Sequence, residues 1–247
     1  MAWRVFKILI LTMALPLALG GAFWTLEKQG FFAINSLQVV LHATNQQPAY
    51  FQPLEAELNT AVEKWRGVSL WKLNLVQVQA QLLQYPWIDQ VSLARRWPTE
   101  LVIEVKPKDI SLLLVSAKGG LRPLAADGQL LPRVSVKSAP DVPILSGENF
   151  ETQPELRKSA LSVYKAIPEK GAFSQKTISE IHFDEHDGFW MTTIRNGVRV
   201  KLGLEKVEIK SARVAQVMEY LQSRQMDARV IDANLSKKVL VRLRKEP

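Results

Sequence analysis

The chain has no cysteine, which excludes disulfides, thiolate catalysis and cysteine-based zinc sites. That absence does not fix the compartment, because exported proteins also manage without disulfides. Histidine is nearly missing too: the three present are His42, His182 and His186. The segment His182-Phe183-Asp184-Glu185-His186-Asp187 gathers two imidazoles and three carboxylates. An extended strand would set its two histidines ~13 Å apart, too far to share an ion at ~2.1 Å bonds without folding back. It reads as a solvated acidic turn. Asp184, Glu185 and Asp187 have no nucleophile, oxyanion hole or burial signal beside them that would make an acid–base pair. Gly119-Gly120 and Gly128 form neither G-x-G-x-x-G nor a P-loop. No catalytic constellation, metal or cofactor is expected; the pattern is that of a binding protein.

A block of like charge is also lacking. The net charge is +8, but the basic residues are spread along the chain, without a zinc-finger, homeodomain or RRM signature. Nucleic acid is therefore not an expected partner. Phospholipid head groups or an acidic wall polymer would suit the same charge. With 247 residues, of which 47% are hydrophobic, there is material for one large or two small cores.

Residues 8–26 carry no charged side chain, and at 1.5 Å per residue they nearly match a ~30 Å hydrocarbon core. Arg4 and Lys7 precede the run, and Glu27 and Lys28 follow it. The expected layout is a short cytoplasmic tail (1–7), a membrane span (8–26) and an exported remainder. Trp3 and Trp24 fall near the two ends, and Pro16 is tolerated inside a membrane helix. The rival is a cleaved signal peptide, with Ala18-Leu19-Gly20 as the cleavage site. The apolar run continues past that point through Phe23, Trp24 and Leu26, which favours an anchor.

A first module is expected over 31–107. Leu37, Val39 and Leu41 alternate as a strand, broken at 45–48. Leu54, Leu58, Ala61, Val62 and Trp65 lie on one helical face. Asn74 caps a second helix whose face is Leu75, Val78, Leu82 and Tyr85, with Pro86 ending it. Two strands follow, one holding Ile88, Val91 and Leu93, the other Leu101, Ile103 and Val105, with a turn at Arg95-Arg96-Trp97-Pro98. The order is β-α-α-β-β.

A second module is expected over 108–247. A strand lies near 110–115, and Asp127-Gly128 makes a tight turn. Residues up to Gly147 read as a linker rich in Ser, Pro and Val, ending in Pro143-Ile144-Leu145-Ser146-Gly147. A helix carries Leu156, Ala160, Val163 and Ile167 on one face. Two strands meet across Asp187-Gly188, and Asn196-Gly197 is the strongest hairpin signal in the chain. A helix near 206–224 turns Val214, Val217, Met218 and Leu221 inward. The last strands lie near 228–232 and 239–244. The fold class is thus α+β, the second module mainly antiparallel strands with flanking helices.

The first module resembles a POTRA domain, and the whole chain is similar to the FtsQ/DivIB family of bacterial cell-division proteins. The similarity rests on Phe31-Phe32-Ala33-Ile34 after the apolar run, Leu70-Trp71, Pro86-Trp87-Ile88-Asp89-Gln90-Val91, and Arg96-Trp97-Pro98-Thr99-Glu100-Leu101. Most of these tryptophans read as core and turn residues. In the second module it rests on a D-G turn, Leu-x-Gly, D-G-x-W, N-G-x-x-x-x-L-G, a helix and an Ile-Asp strand. The chain departs from the family pattern at Glu148 and at Ala233-Asn234-Leu235.

A terminal strand is often a sheet edge with unpaired backbone groups, to which an extended partner segment can add. Lys237, Lys238, Arg242 and Arg244 would discourage promiscuous pairing and attract an acidic partner. The resemblance implies FtsB-like and FtsL-like partners received at this end, a role for the POTRA domain in localisation, a septal location in the inner membrane, and no catalysis. By position it implies a partner-binding set of Leu235, Lys237, Lys238, Val239, Leu240, Val241, Arg242 and Leu243. Two other classes stay open: a POTRA-bearing export or outer-membrane assembly component, and an exported wall hydrolase. The first usually carries several POTRA repeats or a barrel; the second needs an active site.

Overall fold

The computed structural model describes residues 2–42, 48–116, 119–147 and 149–244, without the side chains of 2–13, 15 and 48. Among the described residues the chain divides into two compact units, the first comprising 2–42 and 51–107, the second 108–244 with the short segment 48–50.

The first unit begins with α1 (Ala2–Lys28), 27 residues or about 40 Å at 1.5 Å per residue. The predicted tail and the predicted span therefore share one helix. The side chains of 8–13 and 15 lie outside the described residues, and among the described residues no helix is long and apolar enough to cross a membrane. The helix stops where Gly30 takes φ +76°. There the Phe31 N–H donates to Leu26 O (3.0 Å) and the Gly30 N–H to Glu27 O (3.0 Å), the Schellman pattern that satisfies the last carbonyls.

The unit then runs β1 (Ser36–Leu41), α2 (Pro48–Val62) with a 3-10 turn at Glu63–Trp65, α3 (Leu75–Leu82), β2 (Ile88–Arg96) and β3 (Glu100–Pro107). This is the β-α-α-β-β order expected. The predicted break at 45–48 lies largely outside the described residues. The strands stand in the order β1-β3-β2, β1 parallel to β3 and β2 antiparallel to it. Alternation on β3 buries Leu101, Ile103 and Val105; Leu58 and Val62 of α2, Val78 and Leu82 of α3, Ile34, Leu70 and Trp87 are buried with them. Asn74 caps α3 as predicted, its Oδ1 accepting from the N–H groups of Val76 (3.1 Å) and Gln77 (3.3 Å). Arg95 and Arg96 stay in β2, so the turn is shorter than expected and starts at Trp97.

The second unit contains β4 (Ile110–Val115), β5 (Leu121–Ala125), β6 (Ile144–Ser146), α4 (Asn149–Thr152), α5 (Pro154–Lys165), β7 (Ile178–Asp184), β8 (Gly188–Thr193), β9 (Arg199–Gly203), α6 (Val207–Ser223), β10 (Ala228–Asp232) and β11 (Leu240–Leu243). Its eight strands form one sheet in the order β11-β10-β9-β8-β7-β6-β4-β5. One expectation needs correcting. Residues 144–146 are not linker but β6, an interior strand between β4 and β7. The sheet is mainly antiparallel, as expected, but β4–β6, β6–β7 and β9–β10 pair in parallel. Helices connect β6 to β7 and β9 to β10, and a helical crossover returns the chain in the same direction.

Phe150, Phe173, Ile181, Phe189, Met191, Val200, Val214 and Ile231 belong to the core of this unit. At the Asn196-Gly197 turn both residues have positive φ, 63° and 56°, as a type I′ hairpin requires. Gly188 and Gly203 face one another across β8 and β9. A Cβ on Gly188 would meet the Gly203 backbone at 2.7 Å.

Candidate partner-binding edge

Among the described residues β11 has a single strand neighbour. It pairs antiparallel with β10, from Ala228–Leu243 to Asp232–Leu240, and ends the sheet. The opposite edge is shielded, since β5 makes bridges at Leu121–Val134 and Leu124–Leu130. Among the described residues nothing comparable covers β11. The Arg244 N–H donates to Asp227 O at 2.8 Å. Alternation along an antiparallel ladder then turns the N–H groups of Leu240 and Arg242 toward β10, and those of Val241 and Leu243 outward. Leu240 is 51% exposed, Val241 37% and Leu243 46%, so the apolar side chains are as accessible as the backbone.

Segment 233–239, which delivers the chain to β11, is pinned from beneath by α6. Arg213 donates to Ser236 O (2.9 Å). Lys210 is buried, and its Nζ donates to Leu202 O (2.8 Å) and to Asn234 Oδ1 (2.9 Å). Burial holds the Lys210 ammonium below the ordinary lysine value, against the pull of the Glu205 and Asp232 carboxylates. Asp232 Oδ1 accepts from the Asn234 N–H (2.9 Å). The Asn234 side chain lies where a Cβ on Gly203 would stand, 2.0 Å from Oδ1. The glycine of the N-G-x-x-x-x-L-G pattern is thus what admits Asn234.

Of the residues expected to bind a partner, Lys237, Lys238, Leu240, Val241, Arg242 and Leu243 are exposed. Leu235 is half-buried, and Val239 packs against the core, so Val239 faces inward. Arg244 also differs from expectation. Its guanidinium donates to Asn196 O (2.7 Å), tying β11 to the I′ turn instead of standing free. Among the described residues, the cations of this edge that make no such tie are Lys237, Lys238 and Arg242. Lys210 and Arg213 were not expected to support this edge, and Gly203 was marked in the sequence only as part of the N-G-x-x-x-x-L-G pattern. The available signal was a lysine and an arginine at positions 210 and 213, spaced between the apolar positions 207, 214, 218 and 221 of α6.

The histidine-rich segment is the turn expected. Asp184 Oδ1 accepts from the N–H groups of Asp187 (2.9 Å) and His186 (2.8 Å); these backbone bonds hold its carboxyl below the ordinary range. Among the described residues no group of three His, Asp or Glu side chains is placed to hold a metal ion.

Residues 113–234 match the family model described as "Cell division protein FtsQ/DivIB, C-terminal", and residues 55–106 match "POTRA domain, FtsQ-type". The chain belongs to the FtsQ/DivIB family. A cell division protein FtsQ of Geobacter sp. (strain M21) is 31% identical over 183 residues, covering 71% of this chain and 66% of the relative. That of Myxococcus fulvus is 27% identical over 239 residues, 92% and 80% of the two chains. That of Syntrophotalea carbinolica is 26% identical over 187 residues, 72% and 64%. The chain thus spans about two thirds of the Geobacter and Syntrophotalea relatives. The C-terminal family model ends at residue 234, so the whole candidate edge from Leu235 onward lies beyond the FtsQ/DivIB match.

Proposed function

We propose that this FtsQ/DivIB-family chain is a non-enzymatic assembly protein of the division complex. α1 anchors it in the inner membrane at the septum, with its start in the cytoplasm and both compact units outside. Its partner-binding set is Leu235, Lys237, Lys238, Leu240, Val241, Arg242 and Leu243. An extended segment of an FtsB-like protein, accompanied by its FtsL-like companion, adds to β11 as a further strand. The outward N–H groups of Val241 and Leu243 supply main-chain bonds, the apolar side chains give choice, and Lys237, Lys238 and Arg242 draw an acidic segment.

The observation that carries this reading is the asymmetry of the sheet. One edge is bridged by 130–134, whereas β11, with apolar residues exposed along it, ends the other. Long exposed apolar edges are aggregation hazards unless something covers them, so a partner strand is the fitting occupant. Pull-down from detergent-solubilised membranes tests it, using the intact chain and one lacking 236–247. FtsB-like and FtsL-like proteins should co-purify with the intact chain and be lost with the truncation. Undiminished recovery with a truncated chain that still folds refutes the edge.

A further inference from the structure

Where α1 joins the first unit, five aromatic rings form one chain of contacts. Phe23 of α1 lies 5.1 Å from Phe32 and 5.7 Å from Trp71. Phe31 packs on Phe32 at 5.2 Å, and Trp97 touches Phe32 at 5.9 Å and Trp71 at 5.6 Å. Trp87 of the same family pattern is fully buried, yet Trp71 is 58% exposed, Trp97 49% and Phe31 50%. Two of the tryptophans expected in core and turns therefore present large apolar faces outward.

The cluster is held in place by the backbone. Ile34 N–H donates to Val68 O (2.9 Å), Gly67 N–H to Ile34 O (2.9 Å) and Leu70 N–H to Phe32 O (2.7 Å). Arg95 of β2 donates from Nε to Leu70 O (2.9 Å) and from a terminal nitrogen to Leu73 O (2.6 Å). Loop, strand end and helix end thus fix the rings as one rigid platform.

We infer that this platform of Phe31, Trp71 and Trp97 is a second membrane contact, seated in the head-group boundary of the bilayer beside α1. The inference rests on the anchored reading of α1 given above. Phe23 lies within the uncharged run 8–26, one turn from its end, so a ring touching Phe23 shares the depth of that last turn. Trp and aromatic rings favour this level because one part is apolar and another polar. Charges mark the level just above: Lys28 Nζ stands 3.9 Å over the Trp24 ring, and Lys72 Nζ lies 2.7 Å from Glu27 Oε1. The platform thereby holds the first unit against the lipid in one orientation, instead of leaving it free on the end of a helix.

Because the chain has no cysteine, single labelling sites can be introduced cleanly. An environment-sensitive dye is placed by Trp71→Cys, Trp97→Cys, Leu17→Cys or Gln90→Cys in the full chain, reconstituted into phosphatidylglycerol/phosphatidylethanolamine vesicles. Gln90 sits near the far end of β2 from Trp97, about 23 Å away at 3.3 Å per residue. Spin-labelled lipids should quench the dye at 17, 71 and 97 and spare it at 90. Quenching at 17 alone overturns the platform while leaving the anchor standing. Quenching at none of the four overturns both.

Discussion

Replacing Gly203 by alanine tests how the loop leading to the free edge is held. Gly203 has φ +75°, and an L-residue there costs about 1–2 kcal/mol. The new Cβ would stand 2.0 Å from Asn234 Oδ1 and 2.6 Å from its Cγ, so the Asn234 side chain must leave. Lys210 then loses its 2.9 Å bond to Asn234 and keeps Leu202 O. An unsatisfied buried donor costs about 1–3 kcal/mol. Together the losses come to roughly 2–5 kcal/mol. Gly197→Ala is the reference: its φ is +56° and its Cβ would meet nothing within 4 Å, so only the backbone cost of about 1–2 kcal/mol applies. Both variants are read by urea unfolding with hydrogen exchange of peptides covering 199–203 and 228–232. Adding Asn234→Ala to Gly203→Ala should recover part of the loss, since the clash is gone. Equal costs for Gly203→Ala and Gly197→Ala, with no coupling to Asn234, would refute the reasoning.

Leu58, fully buried in the first unit, should lose about 2–5 kcal/mol of that unit's stability on truncation to alanine; hydrogen exchange over β2 and β3 reports it, and a cost under 1 kcal/mol would contradict the packing. Asp184 titrates below its ordinary value of 3.8 because the backbone N–H groups of Asp187 and His186 favour its charged form. Its contribution to the β7–β8 turn is therefore fully present above that ordinary value and fades as pH falls through the lower, folded one. Carboxyl carbon NMR would show it, and a midpoint at or above 3.8 would count against the turn geometry.

Much of the architecture was legible because local signals and global fold agree. The β-α-α-β-β order followed from period and from Pro86, and Asn74 and Asn196-Gly197 behaved as cap and hairpin residues do. The strand β6 was not legible. Its three residues are too few to show a period, and their order comes from β4 and β7 on either side. The parallel pairings were also missed, although α5 and α6, which carry the β6–β7 and β9–β10 crossovers, were legible from their apolar faces. At the edge, spacing identified β11 but not the direction of each side chain. The β-bulge between Ala228 and Val230 and the bond from Arg244 to Asn196 O depend on segments far apart in sequence. Exposure of Trp71 and Trp97 was illegible for the same reason: a tryptophan looks alike in sequence whether it fills a core or faces lipid.

Among the described residues the outer backbone rim of β11 is unpaired, and Val241→Pro probes it most directly. Proline removes the outward N–H of Val241, which β10 does not use, and proline is tolerated on edge strands where the missing donor faces away from the neighbour. Val241→Ala trims the side chain and keeps that N–H. Binding of a purified FtsB-like and FtsL-like pair is measured against both variants after each is shown to melt like the parent. Binding should be lost with proline and largely retained with alanine. If the proline variant binds as tightly as the parent, strand addition at this edge is wrong.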